Sequence, residues 1–132
     1  MRNATGQSKE DYLEAILLVI REKGACRPTD VSEQLHYSKP SVSLALRKLE
    51  DEKLIVRDDW RVLLTDAGRT LAEQTLEKHR FFKKLFESVG IDPETAAEEA
   101  CQVEHVISED SFQKMMAHWE KYIKNQHTEN AE

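Results

Sequence analysis

In residues 29–65, "TDVSEQLHYSKPSVSLALRKLEDEKLIVRDDWRVLLT", the hydrophobic pattern breaks once and then changes period. Thr29 is the expected cap of a short helix whose inner residues are Val31 and Leu35. The break "HYS" follows, and Ser38 can cap a second helix that tolerates Pro40 in its first turn. Val42, Ala45, Leu46 and Leu49 give that helix an inner stripe. Two helices across a break of three or four residues read as a helix-turn-helix. The period then shifts towards two. "LIVRDDWRVLLT" (54–65) places apolar and β-branched residues on both sides of Arg57-Asp58-Asp59-Trp60, although the turn lacks glycine. This predicts a hairpin directly after the second helix, which makes the unit a winged helix-turn-helix.

On the N-terminal side, Leu13, Ile16, Leu17 and Ile20 recur at i, i+3, i+4 and i+7, and predict a helix from about Lys9 to Lys23. Ser8 with Asp11 fits an [ST]-x-x-[DE] start, and Gly24 fits a stop. Beyond the hairpin, Thr65 or Asp66 can cap a long helix over about 66–88 that Gly90 ends. Asp92-Pro93 restarts a fifth helix, with Asp as cap and Pro in the first helical position. Ser108 caps a sixth, which carries Phe112, Met115, Met116 and Trp119. The fold class expected is mainly α.

The chain has 132 residues, a length suited to one domain or two very small ones. Its two cysteines, Cys26 and Cys101, lie far apart, which fits a reducing compartment better than a disulfide framework. The start "MRNATGQSKEDY" lacks the apolar core of a signal peptide, and the longest apolar run, "AILLVI" (15–20), is too short to cross a bilayer. A cytoplasmic protein with no membrane partner is expected. The net charge of −6 argues against binding nucleic acid by bulk charge alone. The distribution is more telling. Residues 36–49 hold Lys39, Arg47 and Lys48 and no acid, whereas 92–110 hold seven acids and no Lys or Arg.

The face of the second short helix opposite its inner stripe carries Lys39, Ser41, Leu44, Arg47 and Lys48. Hydroxyls and cations near a helix N-terminus, with Ser38 and Pro40 at its entry, suit phosphates and base edges in a major groove. Arg57 and Arg61 on the hairpin can reach the flanking backbone. Leu44 makes no hydrogen bonds; it can meet a thymine methyl or simply pack. The plainer alternative is compact packing with a solvated cationic face. The wing following the helix favours double-stranded DNA.

A second constellation lies in "EEACQVEHVISED" (98–110). Cys101, Glu104 and His105 stand at i, i+3 and i+4 on the fifth helix and crowd one edge. Thiolate, carboxylate and imidazole are the common ligand types for first-row transition metals. Singly, each has an ordinary reading: a small core cysteine, a satisfied histidine, a solvating glutamate. Together they suggest a metal site, which needs further ligands from elsewhere. The first helix offers Asp11 and Glu14, also i, i+3, although Asp11 doubles as the return residue of a capping box with Ser8. The fourth helix offers His79, which shares a face with Thr75, Phe82 and Phe86.

With these residues in view, the chain resembles the diphtheria-toxin-repressor family of metal-dependent transcriptional regulators, including its manganese-regulator branch. The segments that carry the resemblance are "SKEDYLEAI" (8–16), "SKPSVSLALRKLEDEKLI" (38–55), "LLTDAG" (63–68), "KHRFF" (78–82) and "EEACQVEHVIS" (98–108). It covers roughly residues 8–120, and Cys-x-x-Glu-His before a Ser-initiated helix is its most specific part. The resemblance implies a winged helix-turn-helix domain over 1–70 and a helical metal-binding and dimerisation domain over 71–132. It implies that Asp11, His79, Cys101, Glu104 and His105 are ligands, with Glu14 a ligand as in the manganese branch. It also implies a homodimeric repressor that binds palindromic operators when loaded with Mn²⁺ or Fe²⁺; Zn²⁺ and Co²⁺ are possible substitutes. No enzymatic role is implied. The match is mixed. Iron-type members carry methionine at the Asp11 place, and manganese-type members carry glutamate at the Cys101 place. Lys83 and Ala97 stand where iron-type members build an ancillary site. The chain ends before the SH3-like domain of longer members, and so reads as a two-domain form. The expected mechanism is a metal that neutralises clustered carboxylates and sets two recognition helices about 34 Å apart, one DNA turn. The alternatives are a winged-helix regulator that answers to a small organic ligand or to Cys101 oxidation, a metalloenzyme without visible catalytic motif, and a purely structural interaction domain.

Overall fold

The computed structural model describes residues 6–130, with side chains described for 9–122. The elements run α1 (Gly6–Lys23), α2 (Pro28–Leu35), α3 (Lys39–Asp51), β1 (Ile55–Asp58), β2 (Arg61–Leu64), α4 (Asp66–Ser88), α5 (Pro93–Val103) and α6 (Glu109–Asn130). The mainly helical architecture and the winged helix-turn-helix are as the sequence predicts. Two compact units divide the chain, residues 1–77 and 78–132.

In the first unit α1, α2, α3 and the hairpin enclose one core. Leu13, Ile16 and Leu17 of α1 meet Val31 of α2, Val42, Leu46 and Leu49 of α3, and Ile55 and Val62 of the hairpin. The expected stripes face this core, with Ile20, Leu35 and Ala45 only half-buried at its edge. α1 begins at Gly6, so Ser8 lies inside the helix instead of capping it; the Ser8 side chain is outside the described residues. α1 stops at Gly24, whose φ of 86° takes the chain into the left-handed region.

The start of α2 differs from expectation. Its N-cap is Arg27, not Thr29. Pro28 occupies the first helical turn, where its missing N–H costs nothing, so the helix begins ahead of Thr29. Asp30 reaches back instead, accepting from the Arg27 backbone N–H at 2.9 Å. The same carboxylate accepts from the Arg27 guanidinium at 3.0 Å and from Lys23 Nζ at 3.2 Å. It is 4% exposed, and the hydrogen bonds from Arg27 hold its carboxyl well below the usual carboxylate range. His36 closes α2 with a left-handed φ of 58°. Ser38 then caps α3, its Oγ accepting from Ser41 N.

β1 and β2 pair antiparallel, with Asp58 opposite Arg61, which leaves a two-residue turn at Asp59-Trp60. Asp59 supplies the positive φ, 58°, that a tight hairpin turn usually takes from glycine; Asp tolerates it better than most residues. An ion pair between Arg61 and Asp58 closes the tip. Thr65 both anchors and starts α4: its Oγ1 donates to the Lys53 carbonyl at 2.8 Å and accepts from Gly68 N at 3.1 Å. At Gly68 the helix passes so close to the Leu54 backbone that any Cβ would strike the Leu54 carbonyl.

The second unit packs around aromatic rings. Phe81, Phe82 and Phe112 are buried with Ala100, and Leu85, Phe86, Met116 and Trp119 surround them. Phe81 meets Phe112 edge-on, with ring centroids 5.4 Å apart. Asp92 caps α5 by accepting from Thr95 N at 3.1 Å, and Ser108 caps α6 by accepting from Ser111 N at 3.0 Å. Lys78 of α4 pairs with Glu109 of α6 at 3.1 Å. Among the described residues, no helix is long and apolar enough to cross a membrane.

Candidate metal centre and nucleic-acid face

α5 ends at Val103, so only Cys101 of the trio lies within the helix. Glu104 and His105 lie in the turn that follows. The helical spacing survives because the turn still bonds backwards: Glu104 N donates to the Ala100 carbonyl at 3.0 Å, and His105 N to the Gln102 carbonyl at 3.4 Å. Glu104 also keeps α-helical dihedrals, φ −59° and ψ −24°. As a result, one donor atom from each of Cys101, Glu104 and His105 falls within 4.8 Å of the others.

The centre of this arrangement is the Glu104 carboxylate, 1% exposed. A carboxylate so buried is costly unless its charge is met. His79 of α4 supplies one contact, with Nδ1 3.1 Å from Oε2, and His105 a second, with Nε2 3.4 Å from Oε1. His79 therefore joins the trio within the second unit, 25 residues away in sequence. The donor set fits a first-row divalent ion. Ligands at ordinary metal–donor lengths sit roughly 3.3–3.8 Å apart, so side-chain adjustments of about 1 Å would close the trio on an ion. Soft sulfur, nitrogen and hard oxygen are all present.

Asp11 and Glu14, the two other residues the sequence singles out, stand on α1 of the first unit, Asp11 buried and Glu14 half-buried. The second cysteine, Cys26, is a different case. Burial, with Asp30 adding to it, pushes its thiol up to about 12, as expected of a small residue packed in the core of the first unit.

On the first unit, Ser38, Lys39, Pro40, Ser41, Leu44, Arg47 and Lys48 are all exposed along α3. The Ser38 hydroxyl is at work as the cap, and it also donates to Ser41 Oγ at 2.9 Å. Arg57 and Arg61 are exposed on the hairpin, with Arg61 held by Asp58 and lying 6.0 Å from the centroid of the Trp60 ring. The structure adds Ser43, which is exposed and stands one turn from both Lys39 and Arg47. Its i+4 spacing from each was the available signal.

Residues 4–59 match the family model described as the iron dependent repressor N-terminal DNA binding domain. Residues 65–131 match the iron dependent repressor metal binding and dimerisation domain. The transcriptional regulator MntR of Escherichia coli O6:H1 is 36% identical over 104 residues, which is 78% of this chain and 67% of that protein. Among solved structures, IdeR of T. acidophilum superposes with a TM-score of 0.74 at 28% identity over 90% of this chain. The manganese regulator SloR gives 0.75 at 28% identity over 85%. The chain spans about half the length of these two, 55% and 53%. By these matches the chain belongs to the iron-dependent repressor family, that of the diphtheria-toxin-repressor and manganese-regulator proteins, with the DNA-binding part first and the metal-binding and dimerisation part second.

Proposed function

We propose that this protein is a cytoplasmic, metal-dependent transcriptional repressor that binds palindromic operators as a homodimer when loaded with Mn²⁺ or Fe²⁺. The observation that carries the reading is the convergence of Cys101, Glu104 and His105 within 4.8 Å, in the part of the chain that matches the family's metal-binding domain. In this reading Cys101, Glu104 and His105 are ligands, His79 is a further ligand or the residue that orients Glu104, and Asp11 and Glu14 of α1 add carboxylates. Bound, the ion supplies positive charge that cancels repulsion among these acids. The sulfur of Cys101 suits Fe²⁺, and also Co²⁺ or Zn²⁺ as substitutes, whereas the carboxylates suit Mn²⁺. The similarity to the manganese regulator SloR supports Mn²⁺.

On the DNA side, Lys39, Arg47 and Lys48 of α3 neutralise phosphates, Ser38, Pro40, Ser41 and Leu44 face the groove, and Arg57 and Arg61 hold the flanking backbone. A dimer sets two such helices about 34 Å apart, matching a palindromic site. The test is operator affinity measured against Mn²⁺, Fe²⁺, Co²⁺ and Zn²⁺ in turn, at fixed salt. Tightening of 5- to 150-fold, roughly 1–3 kcal/mol of coupling, is expected with the effective ions. Equal affinity with and without each ion would overturn the reading.

A further inference from the structure

Leu44 is 55% exposed, although Val42, Leu46 and Leu49 of the same helix are buried. It lies on the side of α3 turned away from all three. One turn earlier stands Pro40, and three and four residues later stand Arg47 and Lys48, all exposed. When a helix enters a major groove, its flanking cations meet the phosphates and the crest between them meets base edges. Leu44 occupies that crest.

An aliphatic side chain has neither donor nor acceptor. It can tell bases apart only by apolar contact, and the apolar group a major groove presents is the C5-methyl of thymine. A polar base edge beneath Leu44 would lose its water and gain no partner, which penalises the other bases. Among the described residues of the first unit, the other large exposed apolar ones, Val56, Trp60 and Leu63, belong to the hairpin. Val56 and Leu63 form a cross-strand pair there. Leu44 therefore has no exposed large hydrophobic beside it on α3.

We propose that Leu44 is a specificity-determining residue that reads the 5-methyl group of a thymine in each operator half-site. The inference rests on the operator-binding reading above. The experiment begins by selecting duplexes from a random library with Mn²⁺-loaded protein at fixed salt. Each thymine of the selected site is then replaced by deoxyuridine, which removes the methyl group and nothing else. One symmetry-related pair of thymines should lose affinity about fourfold per half-site with the wild-type protein. With Leu44→Ala, whose fold is untouched because Leu44 is exposed, the same replacement should have no effect. Leu44→Gln should select adenine at that position, since its amide can pair with the adenine edge. If demethylation is silent at every thymine, or equally costly for wild type and Leu44→Ala, the inference falls while operator binding stands. If no duplex is selected at all, the operator-binding reading falls and this one with it.

Discussion

A single carboxylate organises the candidate centre. Glu104 is buried, is met by His79 and His105, and shares its surroundings with Cys101. His105→Ala is expected to remove metal-stimulated DNA binding and to keep the fold; operator affinity with and without Mn²⁺, alongside circular dichroism, measures both. His79→Ala is expected to lower metal affinity by roughly 10–100-fold if its main task is to hold Glu104 in place. Direct metal titration reads that loss. The trio was legible because its members are neighbours by helical spacing, and spacing is written in the sequence. The approach of His79 to Glu104 joins α4 to the turn after α5, so no local pattern announces it. Asp30 makes the same point in the first unit. Thr29 looks like the cap, but a carboxylate that engages Arg27 and Lys23 together takes over the start of α2. Asp30→Asn should cost about 1–3 kcal/mol, read by denaturant unfolding at pH 7. Because the carboxyl is held below its usual range in the folded protein, its stabilisation is present above the unfolded value of about 3.9. It fades as pH falls below that, so the gap between wild type and variant should narrow in acid.

At the level of elements, the helix starts at Ser38, Asp92 and Ser108 were readable, because each cap bonds within three residues of itself. The hairpin was readable from its strands more than from its turn. Asp59 adopts the conformation that glycine usually provides, so composition alone understated the turn. Gly68 is a feature that spacing did not mark. It sits early in α4, where alanine would normally gain about 1 kcal/mol of helix propensity. Here a Cβ would press on the Leu54 carbonyl, so Gly68→Ala is expected to destabilise by roughly 2–3 kcal/mol net. Thermal unfolding of the variant checks this; an unchanged or raised Tm would mean that α4 shifts freely away from Leu54. On α3, Arg47→Ala should weaken operator binding at equal metal affinity and reduce the salt slope by about one. Binding isotherms at several salt concentrations supply both numbers.

Across the whole molecule, charge constrains how DNA is bound. The first unit carries 12 basic and 14 acidic residues, the second 7 and 11. Neither is a polycation, so affinity has to come from local patches such as α3 and from the geometry of a paired site. Removing metal with a chelator should therefore lower operator affinity 5- to 150-fold while leaving nonspecific binding nearly unchanged. Competition with unrelated duplex DNA separates the two. The sequence by itself determined the order and kind of the elements, their buried stripes, most of their caps, the cationic face of α3 and the Cys101–Glu104–His105 grouping. All of these depend on interactions between residues a few positions apart, where backbone geometry converts spacing directly into proximity. Tertiary structure decided that His79 reaches Glu104, that Gly68 leaves no room for a side chain and, in part, that Asp30 rather than Thr29 secures the start of α2. Asp30 owes its place to Lys23 on the neighbouring helix as well as to Arg27. The others join residues 14 or 25 positions apart, and such contacts exist only after the intervening chain has folded and packed.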